Sequence, residues 1–166
     1  MYGGLLVISG GGVVLGGIGG CFVFPLIDKL LPLRPLYLAI GVAGSAFTLS
    51  LILLPHTPLT FAIALIGENV FQALAITASI AIAFEAIGRS NPLAATTYAV
   101  INAAFNTPIT YMLFVDGAGY ERHGIAGSFA ADAGLSLAAS LLLGTFLIWR
   151  SRRSSVQALA AAELKA

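Results

Sequence analysis

Acidic and amide side chains that could bind protons or a polar solute recur inside long apolar stretches of this sequence. Glu68 lies in one stretch, with Gln72 one helical turn later on the same face. Asp132 lies in another, with Ser128 and Ser136 one turn on either side. Because burial disfavours the charged form, a carboxyl group without a basic partner in an apolar interior readily takes up a proton. These residues predict a proton-binding or solute-binding function.

A second polar pattern follows between these two stretches. Tyr98, Asn102, Asn106 and Thr110 recur every four residues, so they form one face of a helix. Such a face either bonds to neighbouring helices, at about 0.6 kcal/mol per hydrogen bond, or lines a polar cavity. Pro108 lies within the same run and lacks the backbone N–H of a regular helix, which predicts a kink.

The residue types that most enzymes depend on do not form a set here. Cys21 is the only cysteine, so it cannot form an internal disulfide or a zinc site. His56 and His123 lie in predicted loops, and the motifs of zinc peptidases, phosphate loops and serine hydrolases do not occur. The sequence therefore predicts that the protein is not an enzyme and holds no cofactor and no metal ion.

The composition identifies the surroundings of these residues. The chain has 166 residues, of which 58% are hydrophobic and 9% are charged, and its net charge is +1. A soluble domain carries about 25% charged residues, and this chain could not cover a water-exposed surface. A net charge this small gives no basic surface for nucleic acid. The composition predicts an integral membrane protein whose first partner is the lipid bilayer.

The apolar runs are long enough for transmembrane helices, since a bilayer core of about 30 Å needs about 20 residues. Thr57 is a predicted N-cap before Pro58, a turn is predicted at 88–92, and the polar segment 116–124 is predicted to be a loop. These boundaries predict an all-α bundle of five transmembrane helices and a cytoplasmic tail. The helices lie near 3–27, 36–54, 58–87, 93–115 and 125–149, and the tail covers 151–166.

The first of these helices is rich in glycine. Gly12, Gly16 and Gly20 are four residues apart and share one face, so a neighbouring helix can approach closely there. The pattern is typical of helix packing, and a helix that slides or bends during a transport cycle would also need it.

Basic residues predict the orientation, because cytoplasmic loops of membrane proteins are rich in lysine and arginine. If the loop after the first helix is cytoplasmic, Arg122 is the only basic residue on the outside. We therefore expect a multi-pass protein of the cell (inner) membrane with its N-terminus outside and its C-terminus in the cytoplasm. The basic residues on the cytoplasmic side are then Lys29, Arg34, Arg89, Arg150, Arg152, Arg153 and Lys165.

Two segments resemble the major facilitator superfamily of transporters. The glycine-rich run 16–20, followed by Asp28, Lys29 and Arg34, resembles the cytoplasmic glycine–aspartate–basic loop of that superfamily, with a longer spacer than is usual there. The segment 95–99, with Asn102 and Asn106, resembles the eleventh helix of bacterial carriers for peptidoglycan fragments and acetyl-CoA.

The resemblance implies that the five predicted helices correspond to helices 8–12 of a twelve-helix transporter. It implies a fragment or half of a secondary transporter for a small solute, proton-coupled, which needs an N-terminal half or a partner subunit. Glu68 and Asp132 would bind protons or solute. The open alternative is a small accessory membrane subunit that packs against a partner membrane protein. Under the transporter interpretation the remaining lining residues are Gln72, Tyr98, Asn102 and Asn106.

The depths of the polar residues predict how they meet. Glu68, Asn102 and Asp132 lie on three successive predicted helices, each within about 10 Å of the bilayer midplane at about 1.5 Å per residue. Short connections make antiparallel neighbours of these helices. We therefore expect the three side chains to share one cavity.

Overall fold

The helices of this chain are long enough to cross a membrane. The computed structural model describes residues 2–55, 57–88 and 90–163, with side chains over 10–55, 57–88 and 90–153. The prediction of an all-α protein is confirmed over these residues, and each helix is long and apolar enough to span a bilayer. The elements are α1 (Tyr2–Ile27), α2 (Leu33–Ile52), α3 (Pro58–Ile87) and α4 (Ala94–Glu163).

The division into five helices is not what the structure has, because the predicted loop at 116–124 is mostly helical. The backbone of α4 leaves helical dihedral angles only at His123 (φ −136°, ψ 15°) and Gly124 (φ 64°, ψ −149°). Polar residues reduce the hydropathy of a segment, but they do not interrupt its backbone hydrogen bonds. The break needs a residue that tolerates positive φ, and Gly124 supplies it.

Two parts of α4 fold back on each other at this break. A Cβ atom at Gly119 would lie 2.6 Å from the carbonyl oxygen of Gly127 and 3.1 Å from Cβ of Ala131. In a straight helix, residues eight positions apart are separated by about 12 Å along the axis. The element is therefore a helical hairpin, with a first arm (94–122) and a second arm (125–163).

The glycine face predicted on the first helix is confirmed. Gly16 and Gly20 are buried against α3, where an added Cβ atom would lie 2.8 Å from the carbonyl oxygen of Ile66 or 2.9 Å from that of Val70. Among the described residues, the backbone of α1 comes close to that of α3 and of no other helix. The absence of side chains on this face therefore sets how closely α1 approaches the rest of the bundle.

Helix α2 lies between α3 and α4. A Cβ atom at Gly41 would lie 2.6 Å from Oγ of Ser140, so α2 approaches the second arm closely. On its other side, the rings of Phe47 and Phe71 pack with centroids 5.5 Å apart. The central buried cluster joins α1, α2 and α3 and contains Phe24, Leu36, Ile40, Leu74 and Ala78.

Large apolar side chains cover the outside of the bundle. Leu15 is 70% exposed, Phe22 is 76% exposed and Leu142 is 72% exposed. In water such a surface would drive aggregation, whereas in a bilayer the same side chains contact lipid without a penalty. The exposed surface and the helix lengths together give the architecture of a multi-pass membrane protein.

Most helix ends follow the local sequence signals. Oγ1 of Thr57 accepts a hydrogen bond from the backbone N–H of Thr60 at 3.2 Å, which confirms the predicted N-cap before Pro58. Gly88, with φ 72°, ends α3. The backbone of α4 keeps helical dihedral angles through Pro108, so the helix continues past the position of the predicted kink. His56, Arg89 and Lys165, which the sequence assigned to loops or the tail, lie outside the described residues.

Candidate functional site

A cavity of about 370 Å³ lies between α2, α3 and the second arm of α4. It occupies the middle of the bundle, because Glu68 follows the start of α3 by ten residues, or about 15 Å along the axis. Half of a bilayer core has this thickness. Its polar lining residues are Ser45, Thr48, Glu68, Gln72, Asp132 and Ser136.

Glu68 and Asp132 lie in the wall of this one cavity, on α3 and on the second arm. Both side chains are half-buried, and the electrostatic field of Asp132 acts on Glu68. Over the side chains that the structure describes, neither carboxyl group has a hydrogen-bond or ion-pair partner. Two half-buried acids that share a cavity without a base do not both remain charged at low cost, so the pair is suited to taking up a proton.

Helix α2 contributes two hydroxyl groups that were not predicted from the sequence. Ser45 and Thr48 are only 3% and 5% exposed. Oγ of Ser45 donates to the carbonyl oxygen of Gly41 at 2.9 Å, whereas the hydroxyl group of Thr48 has no partner among the described side chains. Because serine and threonine are common in membrane helices, the presence of these two residues does not by itself indicate a site. The only sequence signal for them is their spacing of three residues, which puts both on one face of α2.

Asp116 is a further acid near the cavity. Its polar sequence context predicted an outer loop, but it lies in the helical first arm, and one carboxyl oxygen is buried without a hydrogen-bond partner. Its field acts on both Glu68 and Asp132. The three acids nevertheless do not gather into a metal site, and no group of three His, Cys, Asp or Glu residues elsewhere in the described chain does so.

The amide face of the first arm is not part of this cavity. Asn102 and Asn106 are exposed, and Nδ2 of Asn106 donates to the backbone carbonyl oxygen of Asn102 at 2.8 Å. The ring of Tyr98 stacks on Phe84 of α3, with centroids 5.1 Å apart. The expectation that Asn102 meets Glu68 and Asp132 is therefore wrong, because α2 and the second arm form the walls instead.

Arg34 and Arg150 lie at one end of the bundle, outside the cavity that Glu68 and Asp132 line. Arg34 and Arg150 line a separate cavity of about 380 Å³, together with Tyr37 of α2. Arg34 also approaches Glu85, with 3.8 Å between Nη2 and Oε1. Arg122 lies next to the hairpin turn, at the opposite end. The fold thus separates a basic end from an acidic centre.

The lining of the central cavity has groups that can bind a proton and groups that can form hydrogen bonds. It offers two carboxyl groups and several hydroxyl groups at mid-depth in a helix bundle. Such polar groups within membrane helices mark solute or ion pathways. No protein-family model, curated protein or solved structure matches this chain.

Proposed function

We propose that this chain forms part of a secondary transporter that moves a small solute across the cell membrane in a proton-coupled cycle. One observation carries the proposal: Glu68 and Asp132 line a common cavity at mid-depth and have no basic partner among the described side chains. An acid that alternates between protonated and ionised forms as the cavity opens to either side couples a proton gradient to solute movement.

The arrangement of the helices in the membrane belongs to the same proposal. We take the two arms of α4 as separate crossings, which gives five crossings with the hairpin turn at Gly124 outside and the C-terminus in the cytoplasm. The grouping of Arg34 with Arg150 at one end, and of Arg122 at the other, supports this orientation. The resemblance to helices 8–12 of a major facilitator transporter agrees with it, and the remaining helices would come from a partner half.

The test is coupled proton movement in native membrane vesicles, from cells in which the chain is made together with its partner half, with a pH-sensitive dye inside and a panel of small solutes added outside. A solute that the chain carries is expected to dissipate an imposed pH gradient. Glu68→Gln combined with Asp132→Asn should abolish that response while membrane insertion is retained. The matched control is Glu121→Gln, which removes an exposed acid outside the cavity. An unchanged response in the double variant would leave these residues only a packing role.

A second function, that of an accessory subunit, is favoured by the exposed amide face of the first arm. Asn102 and Asn106 point away from the central cavity on an apolar helix, where another helix could bond to them. In that case the double variant Asn102→Leu with Asn106→Leu would no longer migrate with a membrane complex on native gels. The Glu68→Gln and Asp132→Asn variants would then leave the proton response unchanged.

A further inference from the structure

We propose that the cavity between α2, α3 and the second arm selects a small organic cation, such as a protonated or quaternary amine, as its solute. This inference rests on the proposed function, since it names the solute class of the same site. Binding, however, is measured without transport, so the two proposals can fail separately.

The charge of the cavity gives the sign of the ligand. Its lining contains Glu68 and Asp132 and no lysine, arginine or histidine, and Asp116 adds a further negative field. In this cavity an anion would be repelled by any ionised carboxylate, and a neutral solute would gain no ion pair. A cation is the one class of solute that forms an ion pair with the carboxylates.

Other lining groups suit an amine. Thr48 is 5% exposed, lines the cavity and has a hydroxyl oxygen without a partner among the described side chains, so it is free to accept a hydrogen bond. Phe71 contributes an aromatic ring to the same wall, and aromatic rings attract organic cations. The volume of about 370 Å³ falls at the lower end of the range of ligand pockets, about 300–1,000 Å³, which fits a small solute.

Protons and the cation compete for the same groups. Among the lining residues of the cavity, α2 contributes no titratable side chain, α3 contributes Glu68 and the second arm contributes Asp132. The first arm acts through the field of Asp116. When the cation enters, a carboxylic acid of the pair releases its proton to water and the carboxylate pairs with the cation. Cation binding therefore weakens as the pH falls, and binding at constant pH releases protons.

The experiment measures binding of radiolabelled benzyltrimethylammonium to the full chain in lipid nanodiscs, with benzyl alcohol and benzenesulfonate as neutral and anionic competitors. We expect saturable binding that only cations displace. Glu68→Gln or Asp132→Asn should weaken it at least tenfold, and Glu121→Gln should leave it unchanged. Thr48→Val keeps the shape and charge of the cavity and should weaken it by a smaller factor, so this variant tests the site even if a carboxyl variant does not fold.

The outcomes separate the two proposals. Displacement by cations alone, with loss in the carboxyl variants, supports the cation site. Displacement by benzyl alcohol or benzenesulfonate, with loss in the same variants, overturns the cation inference and leaves the transporter proposal in place. If the unaltered chain binds no more benzyltrimethylammonium than the Glu68→Gln variant does, and no solute produces a proton response in vesicles, both proposals are overturned.

Discussion

Glu68 of α3 and Asp132 of the second arm of α4 line one cavity, although they lie far apart in the sequence. The relationship depends on the reversal of the chain at Gly124, which brings the second arm back along the bundle. Neither carboxyl group has a hydrogen-bond or ion-pair partner in the described part of the chain, and the electrostatic field of Asp132 acts on Glu68.

If these two acids act on one solute, their substitutions will not be additive. Glu68→Gln alone and Asp132→Asn alone should each remove most of the solute-driven proton response, and the double variant should lose little more. Residues that share a site show coupling energies of about 0.5–3 kcal/mol in double-mutant cycles, which compare the double variant with the two single variants. Glu85→Gln, at the basic end of α3, is the control. Independent, additive losses in the vesicle assay would mean that the two acids serve different steps.

The glycine face of α1 predicts a position-specific steric effect. Gly16→Val should lower the thermal stability of the protein in detergent, because its Cβ atom would lie 2.8 Å from the backbone oxygen of Ile66. Gly17→Val makes the same chemical change at a position where nothing lies within 4 Å of the new Cβ atom. Overpacking costs about 1–3 kcal/mol, and equal melting temperatures for the two variants would contradict this packing of α1 on α3.

The hairpin turn predicts a conformational effect at Gly124. Gly124→Ala should destabilise the turn by about 1–2 kcal/mol, because φ there is +64° and an L-residue is strained at positive φ. Gly117→Ala, in the first arm, meets nothing within 4 Å and lies in regular helix. A helical glycine replaced by alanine gains up to about 1 kcal/mol, so the two variants should move the melting temperature in opposite directions.

The start of α3 depends on a single hydroxyl group. Thr57→Ala removes the acceptor of the Thr60 N–H and should cost about 1 kcal/mol, measured as a lower melting temperature. Thr57→Ser keeps the acceptor and should restore most of the loss. If serine behaves like alanine, the capping bond does not stabilise the helix.

The proposed orientation predicts where reporters function. A cytoplasmic reporter fused after Ala166 should be active, and a periplasmic reporter at the same place should not. In a Cys21→Ser background, Glu121→Cys should react with a membrane-impermeant thiol reagent from outside, and Ser90→Cys should react only after the membrane is opened. The reverse labelling pattern would show that the protein has the opposite orientation in the membrane.

Local features of the sequence determined much of the fold. Apolar runs predicted the bounds of α1 and α3, Thr57 with Pro58 predicted the start of α3, and Gly12, Gly16 and Gly20 predicted a packing face. These features depend on residues within a few positions of each other. Helix length, capping and the absence of side chains on one face are therefore readable without the rest of the chain.

The tertiary structure decided which polar groups meet. The sequence placed Glu68, Asn102 and Asp132 at similar depths, but depth along a helix does not fix the direction in which each face points. The reversal at Gly124 and the close approach of Gly41 to Ser140 put the second arm beside α2. Those contacts join segments that are distant in the sequence, and they place Thr48 in the cavity wall while Asn102 stays exposed. The spacing of residues within one helix does not encode contacts of this kind.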